Sequence, residues 1–252
     1  MVATLSLPPA LDAIGQTALA PTLLSQLGST VGAEHCVLFH FGEDDVDVLG
    51  FASADGTEMA RHNSARYRRE FWRRDSTYTD LKSRLCGYKA VVSCLAAEQI
   101  SDQRFRRELI LDQGLAGRAL IVGERGGRLY GLSMFRGNAA GFFCADDRAA
   151  IDSMSDLLVS IVAKHAETLS QRTSVSQLLS SVAGLESAFK AAGARLSERE
   201  CQVCARIVYG MAMKEIARDL GITPESAVTY RKRAFLRLDV FDRGALLRRL
   251  LQ

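Results

Sequence analysis

Apolar residues fall along this chain in two different rhythms, and the change of rhythm divides it. In the first two thirds, short apolar bursts alternate with longer stripes. His35 to Phe41 (HCVLFHF) and Val46 to Ser53 (VDVLGFAS) read as strands, and Gly42-Glu43-Asp44-Asp45 between them is turn chemistry, so a hairpin is predicted. Arg118 to Gly123 and Leu129 to Phe135 give a second strand pair across Glu124-Arg125-Gly126-Gly127-Arg128. Ile151, Met154, Leu157, Leu158, Ile161 and Val162 recur at helical spacing and predict a long helix over Asp146 to Glu167. Helices are also expected over Leu11 to Leu27, over Met59 to Arg74 and within Ser93 to Leu111. The order is helix, two strands, helices, two or three strands, helix. It predicts an α-β-α sandwich with an antiparallel sheet for residues 1–170, within a chain that is α+β as a whole.

From residue 195 to 252 the rhythm is helical throughout. Ser197 and Glu200 stand at capping-box spacing, followed by the stripe Val203, Cys204, Ile207, Val208 and then Gly210 as a stop. A second helix is predicted over Met213 to Leu220, with Ile216, Ala217 and Leu220 facing inward and Gly221 supplying the turn. Thr223 is placed to cap a third helix whose first turn holds Pro224. A fourth begins near Arg243 and carries Leu246, Leu247, Leu250 and Leu251. Between the halves, residues 171–194 place Val175, Leu178, Val182, Leu185 and Phe189 three and four apart. This seam serves equally as a dimer helix or as a helix packed on its own domain.

Charge changes the picture at the C-terminal end. Residues 195–252 hold twelve Lys/Arg and seven Asp/Glu, a net of +5, which leaves 20 against 22 for residues 1–194, a net of −2. A basic end on a weakly acidic body points to a polyanion partner for that end. Two short helices joined by a Gly turn, the second strongly basic, describe a helix-turn-helix. On its third helix Ala227, Ala234 and Leu238 share the packed face, while Glu225, Val228, Thr229 and Lys232 are the expected readers of base edges, and Thr223 and Ser226 at the N-terminal end are expected at the DNA. Lys214, Arg231, Arg233 and Arg237 are expected at phosphates.

The spacing of Arg199, Glu200, Val203, Gly210, Lys214, Glu215, Ile216, Ala217, Leu220, Ile222 and Leu238 resembles the LuxR-type DNA-binding domain of bacterial transcription regulators. Ala227, Tyr230 and Ala234 depart from the residues usual there, and Val228 stands where a polar or basic reader is common. The resemblance implies a four-helix, all-α domain over residues 195–252, double-stranded DNA as partner, a homodimer, and contact with RNA polymerase. The first domain resembles PAS- and GAF-type sensor domains. Tyr67, Phe71, Trp72 and Asp75 are similar to the aromatic-and-aspartate arrangement of LuxR-type quorum sensors, which implies a small-molecule ligand there. Here Asp75 is followed by Ser76, and the chain holds no second Trp. The alternative is an orphan regulator whose first domain only dimerises.

Other classes fit less well. Six scattered cysteines in 252 residues read as reduced thiols, and Cys201-x-x-Cys204 lacks a second Cys/His pair for zinc. His35, His40, His62 and His165 show no metal spacing, and no cofactor is implied. Ser133 sits in GLSMF, which lacks the last Gly of a nucleophile elbow, and neither a P-loop nor H-E-x-x-H occurs, so no enzyme is expected. Glu43-Asp44-Asp45 mimics only the first part of a phosphoacceptor site. The first residues lack the positive region of a signal peptide, and no apolar run reaches membrane-spanning length; a cytoplasmic protein with no membrane contact is expected.

Overall fold

The computed structural model describes residues 7–192 and 196–251. The chain divides into two compact units, Met1–Leu169 and Ser170–Gln252. The predicted boundary at 194/195 and the first six residues, on which the signal-peptide reading turns, lie outside the described residues.

The first unit is built on a five-stranded sheet of order β2-β1-β5-β4-β3. The strands are β1 (His35–Phe41), β2 (Val46–Ser53), β3 (Val91–Ala96), β4 (Leu115–Arg125) and β5 (Arg128–Gly137). All four pairings are antiparallel. Both predicted hairpins form. Phe41 pairs with Val46 and Arg125 with Arg128. Gly126 and Gly127 turn the second hairpin at φ 59° and 73°, the left-handed pair that a two-residue turn needs.

Alternation along the strands makes two cores. Cys36, Leu38, Ala119, Ile121, Leu132 and Met134 face α1 (Leu7–Asp12), α2 (Leu19–Val31) and α6 (Ala145–Leu179). Val37, Phe39, Phe41, Leu120 and Val122 face the other way. That face is covered by α3 (Met59–Arg66), α4 (Ser76–Ser83) and α5 (Gln103–Phe105). The covering segments are irregular. After α3 the chain runs through a π turn, Tyr67–Phe71, and a 3-10 turn, Trp72–Arg74; after α5 it runs through a second π turn, Arg106–Ile110.

Several expectations are corrected. The helix expected over Leu11 to Leu27 is two helices, with a turn at Gly15 whose N–H donates to the buried His165 Nδ1 at 2.9 Å. The stretch Ser93 to Leu111, expected to contain a helix, opens with the end of β3 and holds its helical run from Gln103 onward, where α5 passes directly into the π turn Arg106–Ile110. The long helix starts at Ala145, close to its expected start, and runs on to Leu179.

In the second unit the sandwich gives way to helices: α7 (Val182–Ala191), α8 (Glu198–Tyr209), α9 (Met213–Leu220), α10 (Pro224–Leu238) and α11 (Arg243–Leu250), with the end of α6. The seam is not continuous, because Ser181 is extended and caps α7 through its side chain. Leu185 and Phe189, at 0% and 2% exposure, sit in one core with Cys204, Val208, Ala234 and Leu246, so they face their own unit rather than a partner. A second, smaller core joins Val203, Ile216, Ala217 and Ala227.

Candidate nucleic-acid interface and sensor cavity

The three helices α8, α9 and α10 form because each carries its own start and stop signal. Ser197 Oγ accepts from Glu200 N–H while Glu200 Oε2 accepts from Ser197 N–H at 2.7 Å, the reciprocal capping box. Gly221 ends α9 at φ 65°, a left-handed conformation that L side chains rarely adopt. Thr223 Oγ1 accepts from Ser226 N–H at 3.2 Å and opens α10, with Pro224 in its first turn. Ala227 and Ala234, both 0% exposed, let α10 lie close against its neighbours.

This packing leaves the polar side of α10 outward. Glu225, Thr229, Lys232 and Arg233 are exposed, and so is Lys214 on α9. Val228, Ser226 and Arg231 are half-buried, and Arg231 leans over the Phe235 ring at 5.8 Å. Thr223 spends its hydroxyl on the cap, and Thr229 donates to Glu225 O at 2.8 Å. Arg237 differs from expectation: its Nη1 donates to Glu200 Oε2, a carboxylate 2% exposed, so it is tied to the domain's own core. Among the described residues Lys214, Arg231, Lys232 and Arg233 make no ion pair with Asp or Glu. The sequence reading overlooked Arg218, also exposed and one helical turn beyond Lys214; the i, i+4 spacing of the two cations was the available signal.

The four ligand candidates of the first unit are all buried: Tyr67 at 4%, Phe71 at 1%, Trp72 at 7% and Asp75 at 2%. Phe71 packs on Phe105 with ring centroids 5.7 Å apart, and Arg73 covers Trp72 at 4.6 Å. Asp75 is already saturated. Its carboxylate accepts from Tyr67 Oη at 2.8 Å, Arg118 Nη1 at 2.5 Å, Thr77 N at 3.0 Å and Tyr78 N at 3.3 Å. Arg118 is itself 3% exposed; its Nε donates to Ser133 Oγ at 3.0 Å and its guanidinium lies over the Tyr67 and Phe105 rings. Burial pushes the Asp75 pKa up, but the Arg118 charge and the donated hydrogen bonds outweigh it and hold the group below the ordinary carboxylate value. Burial and the facing Asp75 carboxylate drive the Tyr67 phenol well above its usual value.

A cavity of about 30 Å³ lies on the other side of Arg118, lined by His35, Phe39, Ala60, Tyr67, Arg118 and Ser133 among others. Of the four candidates only Tyr67 lines it. Nothing in the sequence singles out Arg118, the one charge in the interior of β4, ahead of Glu124 and Arg125 at its end.

The thiols split by burial. Cys36, Cys201 and Cys204 are buried, Cys94 is half-buried, and Cys86 and Cys144 are exposed. Burial pushes Cys36 and Cys204 up to about 12. Among the described residues no cluster of His, Cys, Asp and Glu could hold a metal, and no helix is long and apolar enough to cross a membrane.

Residues 194–250 match the family model of bacterial regulatory proteins, luxR family. No curated protein matches the sequence. Among solved structures, the LBD domain of VqsR from Pseudomonas aeruginosa is similar at 14% identity and a TM-score of 0.50, covering 65% of this chain and 95% of that one. SdiA of Escherichia coli aligns at 14% identity and a TM-score of 0.42, over 96% of this chain and 93% of that one. A GAF domain of a phosphoenolpyruvate-protein phosphotransferase from Coxiella burnetii aligns at 11% identity and a TM-score of 0.43, over 66% of this chain and 94% of that one. With its capped helices, its Gly-turned α9–α10 pair and this family match, the segment 194–250 is a LuxR-family helix-turn-helix DNA-binding domain.

Proposed function

We propose that this protein is a dimeric transcription regulator that binds a near-palindromic operator through α10, and that its first unit binds a small molecule or partner that shifts operator affinity. The observation that carries the reading is the set of cations Lys214, Arg231, Lys232 and Arg233, which make no ion pair with Asp or Glu among the described residues and stand on capped helices. Glu225, Val228, Thr229 and Lys232 read base edges, and Lys214, Arg231 and Arg233 set register on phosphates. Two copies are needed because one small module buries only about 600–1,000 Å² against DNA, too little for a unique site. RNA polymerase is the expected downstream contact.

The test selects a duplex from a random pool with the full-length protein and follows binding against salt. Lys232→Glu is expected to abolish specific binding. Arg233→Ala is expected to flatten the log–log salt slope by roughly 1 per half-site. Affinity unchanged in Lys232→Glu, or no affinity for any duplex at low salt, would refute the proposal.

A second reading, a regulator whose first unit only dimerises, draws support from the saturation of Asp75 and the solid packing at Phe71 and Trp72.

A further inference from the structure

Tyr88 is 66% exposed, yet it is anchored at its ring, its hydroxyl and its carbonyl. It stands on the short turn closed by the Cys86–Lys89 bridge, where Gly87 has φ 64°. The Arg125 guanidinium covers one face of its ring, 3.5 Å from the centroid. Its hydroxyl lies 3.1 Å from Ser160 Oγ, and its carbonyl accepts from Arg125 Nη1 at 2.6 Å. An aromatic ring held this way, and still exposed, offers its second face as a platform. With Arg125, Arg128, Tyr130, Ser160 and Lys164, Tyr88 lines an open groove of about 420 Å³ between the β4–β5 turn and α6. Tyr130 belongs to the core under α6, so the groove lies on the opposite side of the sheet from the Arg118 cavity.

The groove carries charge that the fold leaves unbalanced. Arg125 and Arg128 oppose each other directly across the hairpin, and like charges in that position repel. Arg125 has no donor left for a guest. Its Nε donates to Ser160 Oγ, Nη1 to the Tyr88 and Glu124 carbonyls, and Nη2 to the Asp156 carbonyl and carboxylate, which spends every N–H. Arg128 is exposed, and its side chain makes no hydrogen bond or ion pair among the described residues. Lys164 pairs with Glu167 at 2.8 Å, but both are more than half exposed, so water screens the pair and a stronger anion can take the place of Glu167.

We propose that this groove binds a small molecule that joins a flat heteroaromatic ring to a phosphate monoester, the chemistry of a nucleoside monophosphate. The ring stacks on the open face of Tyr88. The phosphate lies between Arg128, whose planar fork suits two of its oxygens, and the Lys164 ammonium. Arg125 is a positioning residue that fixes the Tyr88 ring. A bare anion would leave the Tyr88 platform unused, and an uncharged ring would leave the Arg125–Arg128 repulsion in place.

The experiment titrates the full-length protein at low ionic strength with AMP, adenosine and ribose 5-phosphate, followed by calorimetry and backbone-amide shifts. AMP is expected to saturate with a Kd below about 1 mM, with the Gly126, Gly127 and Arg128 amides among the largest shifts, and each half-molecule to bind at least about fivefold weaker. Arg128→Ala is expected to weaken AMP at least about fivefold, and Tyr88→Leu to reduce it to the level of ribose 5-phosphate. Both side chains are exposed, and an unchanged urea midpoint of Trp72 fluorescence shows that each variant folds. No saturable AMP binding, shifts centred on α10 instead of the β4–β5 turn, either half-molecule binding as tightly as AMP, or unchanged binding in either folded variant would overturn the proposal. Neither the proposed operator binding nor the Arg118 cavity enters this result.

Discussion

Removing the Arg118 guanidinium tests whether the ion pair with Asp75 holds the helical layer to the sheet. In Arg118→Met the Asp75 carboxylate, 2% exposed, keeps its bonds from Tyr67, Thr77 and Tyr78 but loses its only counterion in the site, and Ser133 Oγ loses its donor. Breaking one side of a buried pair costs about 3–5 kcal/mol; the three surviving bonds place this change near about 3 kcal/mol. Asp75→Asn keeps an oxygen for the cap of α4 yet strands Arg118, at a similar cost. The double variant removes both charges and is expected to recover about 2 kcal/mol of the summed losses, since a neutral pair needs no counterion. Trp72 is the only tryptophan and lies in the first unit, so its fluorescence reports that unit even if the second unfolds separately. With an m-value of about 2 kcal/mol/M in urea, each single variant should shift the midpoint down by about 1–2 M. Shifts below about 0.5 M, or strict additivity in the double variant, would refute the reasoning. The pH dependence has a definite sign. Asp75 is held below its ordinary value in the fold, so its contribution is full above about pH 4, the unfolded carboxylate range, and is lost as pH falls through the lower folded value. In Asp75→Asn that acid-limb loss should be smaller.

Three further outcomes follow from the second unit. Ser197→Ala removes the hydroxyl of the capping box and should cost about 1 kcal/mol in thermal unfolding followed by circular dichroism; an unaltered melt would mean the cap is redundant. Gly221→Ala meets open space but a φ of 65°, so a loss of about 1 kcal/mol from backbone strain alone is expected, and a stabilised variant would contradict the left-handed turn. Ala234→Leu overpacks a site with 0% exposure, costing about 1–3 kcal/mol and reducing duplex affinity together with stability, whereas Arg233→Ala should reduce affinity at constant stability.

The helices from Glu198 onward were legible nearly to the residue, because they are bounded by local chemistry: Ser197 with Glu200, Gly210, Gly221, Thr223 with Pro224. The two hairpins were legible for the same reason, their turns being written in Gly and Asp. What stayed hidden depended on tertiary partners. The break near Gly15 involves a bond from a histidine 150 residues away. The π turns that follow α3 and α5 carry no local marker that a helical stripe lacks. At the candidate sites, residue types marked Lys232 and Asp75, but only geometry shows that Arg237 pairs with Glu200, that Arg118 fills the last open side of Asp75, and that His35 faces a void.

The uneven burial of the thiols gives the molecule a chemical polarity. Electrophiles and oxidants meet Cys86 and Cys144 first, both on the sheet-bearing unit, while the helical unit keeps Cys201 and Cys204 enclosed and, for Cys204, protonated far above neutral pH. Maleimide labels can therefore be installed on Cys86 and Cys144 of the native sequence while α8, which carries Cys201 and Cys204, stays unmodified.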